Sequence, residues 1–369
     1  MLHAVSTVAV LGGGQLGLML GEAARRLGVD VRYLDPAPDA CAGAIGTLVV
    51  GALDDEAAVF ETAFGADVVT YEWEGVPAWS ARVLVDTEHI VLPPPDALAV
   101  AQDRLLEKRV AGELAIPTAD YRPIDDAEDA ADALSAIGVP AVLKTRRGGY
   151  DGKGQRVIHD PRALDDAVAE LGGRGLLLER LVPYRRELSI LAARGRDGAV
   201  VTWPLVENHH ERGILRTSLA PVCEPEHQTR ADEVAAAILT RFDYVGVLAI
   251  ELFDADGELL LNELAPRVHN SGHWTIEGSR TSQFENHLRA ILGLPLGSTD
   301  VVGAAGMLNC IGALPDPFLV ETVPGAVLHE YGKRPRPGRK VGHVTVLADS
   351  PAVRDDRVEE LRALLPSDG

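Results

Sequence analysis

The chain has 369 residues, 46% hydrophobic and 24% charged, with a formal net charge of −20. That length predicts about two to three domains, and the acidity argues against nucleic acid or an anionic membrane surface as main partner. Three scattered cysteines without a CxxC indicate neither a disulfide framework nor a zinc site; no run of about 18 apolar residues spans a membrane, and the start lacks the basic region of a signal peptide, so a cytoplasmic protein is expected.

Residues 7–11 form a β-rich run, followed by Gly12-Gly13-Gly14-Gln15-Leu16-Gly17, a helical pattern over 18–27, and a strand over 29–34 ending at Asp35. That order satisfies G-x-G-x-x-G with its acid about twenty residues on. It fits a dinucleotide, another phosphate at a βα turn, or simply a tight strand-to-helix turn. Further βα units follow: a strand near 48–51, a helix over 54–64, and 68–70 running into Tyr71-Glu72-Trp73-Glu74. Ligands in open α/β sheets meet the carboxyl ends of strands, where Glu72 and Glu74 lie; first-turn helix acids are the alternative. After a short run at 90–92, Pro93-Pro94-Pro95-Asp96 continues neither a helix nor a central strand, so a linker ends the first domain near residue 96.

From Asp96 a long amphipathic helix carrying Arg104 and Lys108 is predicted, ending before Pro117. A helix over 127–137 leads to a strand over 140–144 that ends in Lys144. Next come Thr145-Arg146-Arg147-Gly148-Gly149-Tyr150-Asp151-Gly152-Lys153-Gly154-Gln155 and a strand over 156–158. Glycine lets backbone amides face phosphate oxygens, and Lys144 and Lys153 add point charges. No GKS or GKT opens a helix, so this is not a Walker loop; a solvated hairpin is the alternative. Strands follow at 176–183 and 187–191, the latter pairing with 199–203. Adjacent His209 and His210 point opposite ways on a strand, so a two-histidine metal site is not expected.

A helix over 231–242 precedes two apolar runs, 249–253 and 259–261, joined by Asp254-Ala255-Asp256-Gly257-Glu258, which is hairpin chemistry. Such a hairpin carries Glu251 and Glu263 side by side, and close carboxylates repel unless something positive sits between them. Hard oxygen ligands around phosphates suit magnesium better than zinc; two exposed acids on a solvated hairpin are the alternative. Asn262-Glu263-Leu264-Ala265-Pro266-Arg267-Val268-His269-Asn270-Ser271-Gly272-His273-Trp274-Thr275 then gathers polar groups that are costly to bury unless satisfied. A helix over 283–292 ends at Gly293, and short strands follow at 307–311, 326–329 and 342–346. Lys333-Arg334-Pro335-Arg336-Pro337-Gly338-Arg339-Lys340 is a cationic turn that suits one phosphate, with a solvated loop or a nucleic-acid patch as alternatives. Residues 355–369 read as a helix and a polar tail.

This order of a βα domain, a Gly-rich loop between two strands, a strand for the nucleotide base and a hairpin with two acids resembles the ATP-grasp superfamily. Within it, the blocks at 150–155, 262–275 and 338–345 resemble the 5-(carboxyamino)imidazole ribonucleotide synthetases of purine biosynthesis. Ala101-Gln102-Asp103-Arg104 and Gly213-Ile214-Leu215-Arg216-Thr217 agree; Gly75 departs, standing where that family usually has asparagine. The resemblance covers about residues 5–350 and implies an α/β fold with α+β elements. A Rossmann-like domain (1–96), an ATP-grasp domain (97–295, lid about 117–185) and a small β-rich C-terminal domain (296–369) are expected.

The implied activity is an ATP- and bicarbonate-dependent carbon–nitrogen ligase, carboxylating the amine of 5-aminoimidazole ribonucleotide through carboxyphosphate and releasing ADP and phosphate. Magnesium, with manganese as substitute, and a homodimer are implied with it. ATP would lie on Arg104, Lys144, Gly149, Tyr150, Asp151, Gly152, Lys153, Gly154 and Gln155, with Glu179, Arg180, Leu181, Val182, Glu187, His210, Asn262 and Glu263. Glu251 and Glu263 would take the metal. Asp151, Lys153, Arg267, His269 and Asn270 would be the catalytic groups; Asp151, Arg267, His269, Asn270, Ser271, Lys333, Arg339 and Lys340 would hold the ribonucleotide. The competing readings are a formate-using transformylase of the same superfamily, an NAD-dependent dehydrogenase built on the Gly12–Gly17 loop, and a nucleotide-sensing module without turnover.

Overall fold

The computed structural model describes residues 5–149 and 152–366. Apolar runs separated by helices pair in parallel near the N-terminus. β1 (Thr7–Leu11), β2 (Asp30–Asp35), β3 (Thr47–Val50) and β4 (Val68–Tyr71) form one sheet in the order β3-β2-β1-β4. Because β1 pairs with both β2 and β4, the winding reverses there, and Gly12 and Glu72 emerge side by side at the switch point.

β5 (Tyr121–Ile124), β6 (Ala141–Thr145), β7 (Gln155–Ile158) and β8 (Leu176–Arg180) make an antiparallel lid, order β5-β8-β6-β7. It has its own core, with Ile124, Leu143, Ile158, Leu164 and Leu178 buried together.

The central sheet begins with β9 (Arg186–Arg194), β10 (Val200–Thr202), β11 (Val206–Glu211) and β12 (Ile214–Ala220). β13 (Gly246–Ala255) and β14 (Glu258–Ala265) lie beyond β9; β15 (Ala304–Ile311), β16 (Ala326–Glu330) and β17 (Lys340–Ala348) lie beyond β12. Pairing of Ala220 with Ala305 carries the sheet into the C-terminal segment, so β15–β17 extend it instead of forming a layer of their own. Alternation along β13 sends Val247 and Ala249 to one core, with Trp203, Trp274 and Phe284, and Leu248 and Ile250 to the other, with Ile238. Burying each of the larger aliphatic side chains, Val247, Leu248 and Ile250, stabilises the fold by about 1.5–3 kcal/mol.

The Asp256–Gly257 turn has positive φ at both residues (53° and 87°), the geometry that tight hairpins favour. Its register sets Glu251 opposite Glu263, as the spacing predicts. The single helix expected from Asp96 is two, Pro95–Ala101 and Arg104–Glu113. Asp103 breaks it: its carboxylate accepts from the N–H groups of Leu105 and Leu106 at 3.0 and 3.4 Å, an N-cap that restarts the helix. The helix expected at 231 begins earlier, at Pro225, where a first-turn proline loses no hydrogen bond. The run at 90–92 contributes a bridge between Val69 and Val91. Among the described residues no helix is long and apolar enough to cross a membrane.

Candidate active site

The switch point, the lid and the central sheet enclose a cleft of about 610 Å³. From the lid and its hinge it receives Lys144, Gly152, Lys153, Gln155, Glu179, Arg180, Leu181 and Val182. The central sheet and the loop after β14 add Glu187, His210, Glu251, Asn262, Glu263, Arg267, His269 and Asn270; Arg104 and Lys340 also line it, whereas the predicted Gly149, Gly154, Ser271, Lys333 and Arg339 do not. Tyr150 and Asp151 lie outside the described residues. Gly149 and Gly154 form the base of the Gly-rich loop, where a Cβ on Gly154 would stand 2.6 Å from Thr145 Oγ1. Arg147 Nε donates to Asp103 at 3.1 Å, tying that loop to the helix bearing Arg104.

Part of the cleft wall is apolar, formed by Val142, Val157, Leu181, Leu215 and Phe253. Tyr184 stacks on Phe253 with centroids 4.5 Å apart and donates to Glu187 Oε1 at 2.6 Å. His210 pairs with the other Glu187 oxygen, while His209 is exposed. Burial opposes charge on His210, but Glu187, with Glu251, raises it above its ordinary 6.5. Lys144 Nζ lies 2.8 Å from Glu179 Oε2, and Lys108 Nζ 3.7 Å from Oε1. Burial alone would raise Glu179, yet the two lysines hold its carboxyl down to about 2.

The acidic hairpin forms another part of the wall. Arg104 Nη1 donates to Glu263 Oε2 at 3.2 Å. Burial, reinforced by Glu263 and Glu187 against the pull of His210, pushes Glu251 up to about 7. Glu107 accepts from the Leu264 N–H beneath Glu263 and is likewise pushed up, to about 8, by burial and by Glu263. Carboxylate oxygens crowded in this way fit a hard divalent cation, which would reverse their mutual repulsion.

Arg267 pairs with Glu74 and donates to the Val268 carbonyl at 2.8 Å. The amide nitrogen and oxygen of Asn270 are buried and have no partner among the described residues. Ser271 is fully buried and does not line the cleft; its hydroxyl lies 2.9 Å from His269 Nδ1. In the cationic turn only Lys340 lines the cleft. Lys333 donates to Gln15 Oε1, itself at the cleft wall, and Arg339 donates to the Arg334 carbonyl at 3.2 Å.

The Gly12–Gly17 loop is no dinucleotide cradle, because its amides are occupied. Gly13 N–H donates to Asp35 Oδ2 at 2.9 Å, and Gly14 and Gly17 N–H donate to the Glu72 carboxylate at 2.9 and 3.1 Å. A pyrophosphate would have to displace two carboxylates. The glycines serve the close approach of Glu72, since a Cβ on Gly12 would lie 2.7 Å from its Cγ. A Cβ on Gly75 would fall 2.3 Å from the Trp73 indole, so that ring fills the space an asparagine would need.

Sequence reasoning missed Tyr184, Glu107 and Gln283. Gln283 is fully buried and brackets the His269 main chain, its Oε1 accepting from the N–H at 2.9 Å and its Nε2 donating to the carbonyl at 2.6 Å. Another metal-capable group, Glu224, His227 and Asp254, is an ion-pair cluster, with Arg186 Nε 2.9 Å from Asp254 and Arg185 at 3.2 Å.

Three family models match the chain: a ribonucleotide synthetase preATP-grasp domain over residues 5–102, an ATP-grasp domain over 109–284, and a phosphoribosylaminoimidazole carboxylase C-terminal domain over 305–357. The N5-carboxyaminoimidazole ribonucleotide synthase of Pseudomonas aeruginosa is 48% identical over 358 residues, covering 97% of this chain and 99% of the relative. The crystal structure of the corresponding synthetase from Thermus thermophilus superposes with a TM-score of 0.94 at 50% identity, covering 98% and 99% of the two chains. That of the Aspergillus clavatus enzyme, solved with ADP and 5-aminoimidazole ribonucleotide, gives 0.90 at 32% identity and 98% coverage of both.

Proposed function

The chain belongs to the N5-carboxyaminoimidazole ribonucleotide synthases, ATP-grasp ligases of purine biosynthesis, and from that premise we propose how its cleft carboxylates the amine of 5-aminoimidazole ribonucleotide at the expense of ATP. The supporting observation is that the Glu251–Glu263 pair, the Glu187–His210 slot and Arg267, His269 and Asn270 open into one cleft.

Adenine lies against Val157, Leu181 and Phe253, with the hinge Glu179–Val182 at its edge, and Glu187 accepts from the ribose hydroxyls. Arg104, Lys144, Lys153 and the Gly-rich loop meet the phosphates. Glu251 and Glu263 would hold magnesium, or manganese in its place, with Asn262 serving metal and nucleotide. When bound, that ion neutralises charge on the phosphates. Bicarbonate is the co-substrate: one of its oxygens attacks the γ-phosphorus, the bond to the β–γ bridging oxygen breaks, and ADP leaves. The ribonucleotide amine then attacks the carboxyl carbon of carboxyphosphate, or carbon dioxide released from it, phosphate departs, and the amine loses a proton. No protein nucleophile is required, because phosphoryl transfer rests on positioning and charge neutralisation.

Arg267, His269 and Asn270 face the reacting groups, and the family resemblance assigns Asp151 to the same chemistry; Lys340 takes the ribonucleotide phosphate, with Lys333 and Arg339 flanking it. A homodimer in the cytoplasm completes the reading. An ADP-release assay with the ribonucleotide tests it: release is expected only when bicarbonate is also present. Release that requires formate instead would favour the transformylase reading.

A further inference from the structure

His269 stands at the cleft with its two ring nitrogens in different company. Nε2 lies 3.6 Å from Glu251 Oε1. Nδ1 lies 3.3 Å from the backbone nitrogen of Ser271, a group that can only donate. Nδ1 is therefore an acceptor and carries no proton. The Ser271 hydroxyl, 2.9 Å from the same nitrogen, must also donate to it.

That direction propagates inward. With its proton committed, Ser271 Oγ accepts from Ser189 Oγ at 2.9 Å. Ser189 Oγ then accepts from Asn208 Nδ2 at 2.9 Å, and Asn208 Oδ1 accepts from Ser218 Oγ at 2.7 Å. A hydroxyl has one proton to give, so the polarity fixed at the Ser271 amide runs through every link without conflict. Ser189, Ser218 and Ser271 are fully buried, Asn208 nearly so, and none of the four lines the cleft. Burying these groups is costly unless all are satisfied. Gly272 matters to the same arrangement, since a Cβ there would lie 2.5 Å from the Gln283 oxygen that holds the His269 N–H.

We propose that Ser189, Asn208 and Ser218 are positioning residues that act through Ser271 to hold His269 in its Nε2–H tautomer. The imidazole then presents a hydrogen-bond donor, not a base, to the bicarbonate or carboxyphosphate oxygens of the proposed reaction. The kinetic consequence rests on the ligase reading above; the tautomer does not.

Nitrogen-15 NMR of the full chain labelled at histidine tests this, with His269 assigned by its loss in His269→Gln. The expected spectrum has a protonated Nε2, seen by its one-bond coupling to hydrogen, and a bare Nδ1; a proton on Nδ1 overturns the proposal. In Asn208→Ala a second, Nδ1-protonated species is expected, with kcat lower by about tenfold and the KM for ATP within about twofold, the size typical of losing a histidine's outer partner. Ser189→Thr, which keeps the hydroxyl, should retain the wild-type tautomer. An Asn208→Ala protein that loses turnover with His269 unchanged in the spectrum also overturns it. Should that variant fail to fold, Ser218→Ala carries the same readouts, and the wild-type spectrum decides the tautomer alone. If the ligase reading were wrong, the spectral change would persist with no bicarbonate-dependent turnover to lose.

Discussion

Glu251 and Glu263 face each other across β13 and β14, with the register slipping immediately after Glu251. Their side chains are 19% and 38% exposed, so burial and proximity together disfavour two charges. Arg104 answers only part of that, through Glu263. The repulsion that remains is what the proposed magnesium would relieve.

Replacing Glu263 by Gln is expected to lower magnesium-dependent turnover by at least about a hundredfold, the scale of losing one preorganised electrostatic partner. The thermal midpoint should stay within a few degrees, since a repulsion is removed with the ligand. Steady-state rates and a melting curve check this; near-wild-type turnover would remove Glu263 from the site.

Glu179 gives a pH dependence of known sign. Its carboxyl sits near 2 in the folded chain against an ordinary 4.5, so the stability it contributes is complete above about 4.5 and is lost as pH falls toward 2. Glu179→Gln should flatten that part of the acid limb in urea melts. At neutral pH it leaves Lys108 and Lys144 buried without a counter-charge, costing about 3–5 kcal/mol. Wild-type stability for the variant would contradict the ion-pair account.

The cationic turn separates Lys340 from Arg339, because only the former lines the cleft. Lys340→Met should raise the KM for the ribonucleotide about tenfold or more while sparing the KM for ATP. Arg339→Ala should raise it less. Equal effects, or a larger one at Arg339, would mean that the turn closes differently on the substrate.

Much of this site was legible because its signals are local. The Asp-Gly turn and the alternation around it placed Glu251 opposite Glu263, and the glycines after Lys144 marked a loop that reaches the cleft. Asp103 was harder: an amphipathic pattern runs through it, and only the cap geometry reveals the break. Long-range returns were invisible. Glu72 folds back onto the amides of Gly14 and Gly17, more than fifty residues earlier, which turned an apparent dinucleotide fingerprint into a carboxylate seat. Gln283 looks like any first-turn glutamine until the fold brings it to His269. The cations of the turn were equivalent in sequence, and only packing sends one of them to the cleft.

The carboxylate seat makes its own prediction. Gly12 has φ near +107°, and a methyl there would meet Glu72. Gly12→Ala should destabilise by about 1–3 kcal/mol through strain and overpacking. NAD should protect neither wild type nor variant in a melting assay, whereas magnesium and ATP together should protect the wild type. Stabilisation by NAD would reopen the dinucleotide reading.

The central claim is that a bicarbonate oxygen is phosphorylated before the ribonucleotide amine is carboxylated. Turnover with oxygen-18-labelled bicarbonate, ATP and 5-aminoimidazole ribonucleotide, followed by mass spectrometry of the released phosphate, tests it most directly. Transfer of one labelled oxygen into each phosphate is the predicted result; unlabelled phosphate, its fourth oxygen supplied by solvent, would contradict the account.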